Sequence, residues 1–226
     1  MRKPVVNYKN FKFSKLNTPE FSHLLYLLGW VGYFTLYTLT EVFIPSDKCF
    51  VVHSKLDDLI PFCEYFVVPY VLWYALIVVS LLYFALYNVE NFKKLQIFII
   101  ATQIIAMIIY IFFPNRQDLR PEEFTRDNFF TDIVGLLYTV DTNTNVFPSL
   151  HVAYSIAIAS VWFKEKSAAW YVKWLICIFC VLVCLSTAFI KQHSVLDGFA
   201  SIIMCAGIEV VLFWNYYKNL FKKKCA

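Results

Sequence analysis

Charge, glycine and histidine are all in short supply in this chain. Only 16% of its 226 residues are charged, and it holds five glycines, eight prolines and four histidines. With 60% hydrophobic and 19% aromatic residues, so little charge excludes a soluble globule, which has no interior for that much apolar surface. The few glycines and prolines exclude flexible linkers and low-complexity segments, and no repeat of fixed period occurs. A nucleic-acid partner is not expected. Cysteines number seven. Cys177, Cys180, Cys184 and Cys205 fall inside apolar runs, where cysteine serves as a small buried hydrophobe. Cys49 and Cys63 share one loop on the side where oxidation is permitted, so a disulfide between them is expected. Cys225, near the end, carries a weak lipidation signal.

What is present is a series of long apolar runs. A bilayer crossing takes about 20 residues at 1.5 Å rise. Runs at 22–44, 66–87, 95–113, 149–163, 170–190 and 194–217 give the expectation of an all-α membrane bundle with six transmembrane helices. The run at 149–163 is short for a span. The first run exceeds the apolar core of a cleavable signal peptide and ends without small residues, so it is read as a retained span.

Basic residues orient these spans. Arg2, Lys3, Lys9, Lys12 and Lys15 precede the first, Lys93 and Lys94 follow the second, and Lys164, Lys166 and Lys173 follow the fourth. Lys218, Lys222, Lys223 and Lys224 end the chain, leaving Lys48, Lys55, Arg116, Arg120, Arg126 and Lys191 on the other side. By the positive-inside rule both termini are cytoplasmic, and the loops after the odd-numbered spans face outward. The chain then divides into a cytoplasmic segment (1–21), two helices with an outward loop (22–94), a core (95–217) and a basic cytoplasmic tail (218–226). Its abundant Lys, Asn, Ile and Phe point to a low-GC genome, and the compact core suits a bacterial cell membrane. Within the long outward loop at 114–148, Phe129, Phe130, Ile133, Leu136 and Leu137 recur at helical spacing. They mark an amphipathic helix, lying at the interface or packed on the bundle.

Two histidines stand at outward ends of apolar runs, in Phe147-Pro148-Ser149-Leu150-His151 and in Lys191-Gln192-His193-Ser194-Val195-Leu196-Asp197. Ionisable groups beside a bilayer core are costly and mark function by default. Cleaving a phosphate ester needs donors around the non-bridging oxygens, an in-line nucleophile and an acid for the leaving oxygen. Ser149 reads as the N-cap of a helix whose first amides form an anion site, with His151 in that turn placed to donate a proton. His193 and Asp197 share one helical face at i, i+4 spacing, so His193 is the candidate nucleophile and Asp197 its orienter. Arg120 and Lys191 supply cationic donors. No carboxylate cluster or His/Cys set has convincing metal spacing, so no cofactor is expected. His23 and His53 read as interfacial polar residues.

The pattern of Arg120-Pro121, Pro148-Ser149-Leu150-His151 and Ser186-Thr187-x5-His193-x3-Asp197 resembles the type 2 phosphatidic acid phosphatase superfamily. That superfamily also contains vanadium haloperoxidases and sphingolipid headgroup synthases. The resemblance spans about residues 95–216 and is nearest the branch joining bacterial membrane phosphatases with inositol phosphorylceramide synthases. It implies six spans and an outward-facing active site with His193 as nucleophile, Asp197 as its partner and His151 as general acid. Arg120 and Ser149 would hold the phosphate. Three positions depart from the family pattern: its first lysine falls at Phe113, its third-motif arginine at Thr187 and its small glycine at Leu150. Arg116 and Lys191 are the replacements at hand for the missing cations. The implied activity is metal-independent hydrolysis of a lipid phosphomonoester or diphosphate through a phosphohistidine. The alternatives are transfer of a phospho-headgroup between lipids and a non-catalytic lipid-binding role.

Overall fold

The computed structural model describes residues 3–224, so Arg2 and Cys225 lie outside the described part. The fold is all-α. Its α-helices are α1 (Leu28–Phe43), α2 (Lys55–Leu59), α3 (Val67–Tyr87), α4 (Val89–Phe112), α5 (Phe129–Val140), α6 (Leu150–Lys164), α7 (Trp170–Phe189), α8 (Val195–Leu212) and α9 (Trp214–Lys224). Four are long and apolar enough to cross a membrane: α3 with its lead-in from Glu64, α4, α7 and α8. They make the chain a membrane protein. Their outer faces agree with this, since Val79 and Leu82 on α3, Ile178 and Val181 on α7, and Ile203 and Val211 on α8 are all exposed. In water each such side chain would forfeit about 1.5–3 kcal/mol of burial.

The run at 22–44 folds as a 3-10 segment, Ser22–Leu27, that passes directly into α1. Asn88 alone separates α3 from α4. Its amide donates to the Phe84 carbonyl (2.8 Å), and its side chain accepts from the Asn91 amide (3.1 Å). One residue thus caps both helices. The third apolar run was read as starting at residue 95, but α4 begins at Val89. Lys93 and Lys94 therefore ride on its first turns, where Lys94 pairs with Glu90 at 2.7 Å and lies over the Phe213 ring.

At the centre stands α6, packed against α7, α4 and α8 and more lightly against α3. Ala153, Ala157, Ile158 and Val161 are fully buried there. Small alanines on this helix let the neighbouring backbones approach closely. At the end of the bundle near α5 a second cluster of Val67, Tyr70, Val134 and Ile190 joins α5 to α3 and to the turn after α7. The helix expected within 114–148 is α5, begun by an Asn128–Thr131 capping box. One of its faces packs on the bundle through Val134, while Phe129 and Leu136 on the other are 70% and 66% exposed.

Two short strands, β1 (Phe50–Val51) and β2 (Asn115–Arg116), pair in parallel, with an antiparallel bridge from Arg116 to Thr144. They tie the loop between α1 and α2 to the loops flanking α5. The expected Cys49–Cys63 disulfide does not form, because both cysteines are free thiols. Cys49 sits at the head of β1 with its thiol on the Pro45 carbonyl, whereas the Cys63 amide is held by the Phe189 carbonyl (3.0 Å). The two positions are fastened to different parts of the molecule.

Candidate active site

Local chemistry brings the two histidine motifs together. Before α6 the chain is held by Asn115, whose side-chain oxygen accepts from the amides of Val146 (2.8 Å) and Phe147 (2.7 Å). Ser149 then caps α6, accepting from the Val152 amide at 3.4 Å. Its own amide donates to the Asp197 carbonyl (3.2 Å), and the Ser201 hydroxyl donates to the carbonyls of both Ser149 (2.7 Å) and Asp197 (2.8 Å). The N-termini of α6 and α8 are thereby stitched to each other. His151 occupies the first turn of one, and His193 precedes the other by two residues.

After α7 the chain reverses through Lys191, whose φ of 56° is left-handed. The Thr187 carbonyl accepts from the amides of Gln192 (2.9 Å) and His193 (3.0 Å). Ser194 and Asp197 form a capping box that starts α8. His193 Nδ1 lies 3.1 Å from Asp197 Oδ2 and 3.1 Å from the Val146 carbonyl. Both neighbours are acceptors, so Nδ1 carries the proton and Nε2 keeps a lone pair. That lone pair faces His151 Nδ1 at 3.3 Å. The His151 ring stacks on Tyr70 (centroids 4.4 Å apart) and packs against Trp73 (4.2 Å).

The cations named from sequence sit differently. Arg120 donates to the carbonyls of Tyr138 (3.1 Å), Asp141 (2.6 Å) and Thr142 (2.9 Å) and to the Gln192 side chain (2.6 Å). It braces the residue next to His193. Burial pushes its pKa below the ordinary guanidinium value while Asp141 opposes that, and an arginine remains charged throughout. Lys191 donates to the carbonyls of Asp57 (2.8 Å) and Ile60 (2.5 Å), away from the histidines. Burial lowers its amine, with Asp57 and Asp58 working against the shift. Arg116 binds the Ser46 carbonyl (2.8 Å) and Asp118 (3.1 Å). The fold therefore gathers His151, His193, Asp197 and Ser149, sets Arg120 behind them, and turns Lys191 and Arg116 elsewhere.

Three contributors escaped the sequence reading. Asp57 on α2 accepts from the Ser194 hydroxyl (2.6 Å) and the Val195 amide (2.8 Å), clamping the start of α8. Its available signal is Ser54-x-x-Asp57, a capping-box spacing that marks the start of α2 but not the clamp. Asn115 left no periodic signal. Asp141, which accepts from the Tyr70 hydroxyl at 2.6 Å, follows α5 as an ordinary loop acid.

Beside the histidine pair lies a cavity of about 440 Å³ whose lining includes His151, His193, Gln192 and Asp141 at one end. Trp30, Phe34, Ile77 and Val78 of α1 and α3 contribute apolar lining. Phe34 and Val78 are 56% and 54% exposed, so this part opens on the outer surface of the helix bundle. Such a space accommodates an amphiphile, with the polar end at the imidazoles and the chains along α1 and α3. The chain matches no family model, no curated protein and no solved structure.

Proposed function

We propose that the protein is a membrane lipid phosphate phosphatase that works through a phosphohistidine. The observation that carries this reading is the file Asp197–His193–His151, spaced at 3.1 and 3.3 Å, at the polar end of a cavity open to the apolar surface. His193 Nε2 attacks phosphorus, forming a P–N bond as the P–O bond to the lipid breaks. Asp197 holds the Nδ1 proton and stabilises the positive ring. The negative phosphate favours a protonated His151, which gives its proton to the departing alkoxide. His151 then takes a proton from water, whose oxygen displaces the P–N bond and releases phosphate. Because the two rings are in hydrogen-bond contact, the phosphorus reaches Nε2 when the His151 ring turns aside. The amides opening α6 receive the non-bridging oxygens.

The same reading sets the membrane arrangement. Six spans result when the 3-10 segment with α1, and the enclosed α6, are counted with the four long helices. Both termini are cytoplasmic by the charge distribution, and the histidines face outward from a bacterial cell membrane.

A second reading, transfer of a phospho-headgroup to another lipid's hydroxyl, draws on the cavity walls. They carry no lysine or arginine and are largely aromatic, which disfavours water at Nε2.

The deciding experiment is phosphate release by the purified protein in detergent, from lipid monophosphates and diphosphates, beside His193→Ala. Turnover abolished in the variant, with lipid binding retained, is expected. Turnover that survives His193→Ala removes the phosphohistidine. If the wild type releases nothing, headgroup transfer between two lipids becomes the reaction to assay, and failure there too leaves a lipid-binding protein.

A further inference from the structure

One carboxylate in the cavity has no part in the chemistry above. Asp141 lines the space at its polar end. Its Oδ2 accepts from the Tyr70 hydroxyl (2.6 Å) and, at 3.5 Å, from Gln192 Nε2. Among the described residues no cation forms an ion pair with this carboxylate: Arg120 binds the Asp141 carbonyl oxygen and acts on the carboxylate only through the field of its charge. No lysine or arginine lines the cavity, and Arg116, Arg120 and Lys191 are occupied by carbonyl oxygens, Asp118 and the Gln192 side chain. A site built for phosphate alone would line its cavity with cations, whereas a carboxylate there repels an incoming anion.

The surroundings of Asp141 suit a cation. Tyr33, Tyr37 and Tyr74 line the same cavity, together with Trp73. The Tyr37 hydroxyl lies 3.4 Å from Thr142 Oγ1, which places its ring next to the residue following Asp141. Aromatic faces around a carboxylate attract alkylammonium groups through the ring quadrupole as well as through charge, and tyrosine and tryptophan cages hold quaternary ammonium ions. Farther from the histidines the lining becomes apolar, as acyl chains require.

We propose that this cavity selects an amphiphile bearing an ammonium group a few bonds from its phosphorus, with the ammonium at Asp141 and its aromatic wall and the phosphorus at His193. The inference rests on the histidine pair as the phosphoryl-transfer centre. The ammonium can sit on the headgroup of a phosphodiester lipid, such as a choline or ethanolamine ester. It can also sit on the lipid body of a phosphorylated long-chain amino alcohol. The chemistry is shared, and the two sources are told apart by assay.

Trp30 and Trp73 line the cavity and report on its occupation. Their fluorescence would be followed as the protein, in maltoside micelles, is titrated with short-chain lipids in two pairs. The first pair is a phosphatidylcholine against the matching phosphatidylglycerol. The second is a sphingoid-base phosphate against the matching alkyl phosphate. At least one ammonium-bearing member should bind about tenfold more tightly than its partner, and the pair that shows the preference names the source. Asp141→Asn should bring that ratio close to one. Tyr74→Leu, at a half-exposed position outside the core, should lower affinity for the ammonium ligand alone. Equal affinities within both pairs, or a ratio untouched in Asp141→Asn, would overturn the proposal. His193→Ala should keep the preference. A preference without turnover of any ligand defeats the catalytic reading and leaves this one standing, whereas turnover without a preference does the reverse.

Discussion

At the scale of single residues, position in sequence and position in space diverge most at Lys191. Two residues from His193, it looked like a phosphate ligand. Its left-handed φ and the carbonyls of Asp57 and Ile60 turn the side chain toward α2. Linear proximity could not foretell that, because the acceptors lie more than 130 residues away in the chain. His193 and Asp197 meet as their spacing suggested, but His193 lies ahead of α8 and not on its face, and the Ser194–Asp197 capping box at the helix start sets the approach. Lys191 also carries a pH signature. Burial lowers its amine from the ordinary value of 10.5, so between its folded value and 10.5 the unfolded chain binds more protons than the folded one. Stability attributable to this residue therefore rises with pH across that window, and the charged amine costs stability below it. Lys191→Met should flatten the rise. Thermal midpoints of both proteins in detergent, from about pH 8 to about pH 10.5, would measure it; an identical slope in the variant would remove Lys191 as the cause.

At the scale of elements, helix starts read well where a polar side chain caps them. Ser149 before α6 and Ser194 before α8 are such cases. The start of α4 lies six residues ahead of the apolar run at 95–113, because Lys93 and Lys94 interrupt the run without interrupting the helix. Glu90 at i, i+4 and the Phe213 ring make Lys94 a helical residue instead. The five-residue α2 was not recognised as part of the site, yet its Asp57 fastens α8 through Ser194 and Val195. Hydrogen bonds to a charged group contribute about 1.5–3 kcal/mol each. Asp57→Ala should accordingly destabilise the protein by about 3 kcal/mol and lower kcat more than KM, as His193 loses its fixed approach. Denaturation in detergent with steady-state kinetics tests this, and an unchanged kcat in a destabilised variant would confine Asp57 to stability.

For the whole molecule, membrane residence was legible from composition and run length, since neither depends on how helices pair. The cavity was not legible, because its lining comes from α1, α3, α4, the end of α5, α6 and two loops that meet only after folding. The proposed orientation has a direct check with introduced cysteines at exposed positions, in a background without the native ones. Asp47→Cys should react with a membrane-impermeant maleimide in intact cells, and Glu20→Cys only after permeabilisation. The reverse pattern would put the histidines on the cytoplasmic side.

The central helix carries a further consequence. With 15 residues, α6 is about 22 Å long, shorter than a hydrocarbon layer of about 30 Å. Phe163 is the one strongly exposed residue along it. A change in bilayer thickness acts on helices that touch lipid, by tilting them or deforming the lipid around them. The helix holding His151 is insulated from that stress by its neighbours. Reconstituted into phosphatidylcholine bilayers of graded acyl length, the protein should keep kcat within about twofold, because the bonded starts of α6 and α8 hold Asp197 and His193 beside His151 while α7 and the far end of α8 adjust. A steep optimum in acyl length would mean that thickness reaches the imidazoles after all.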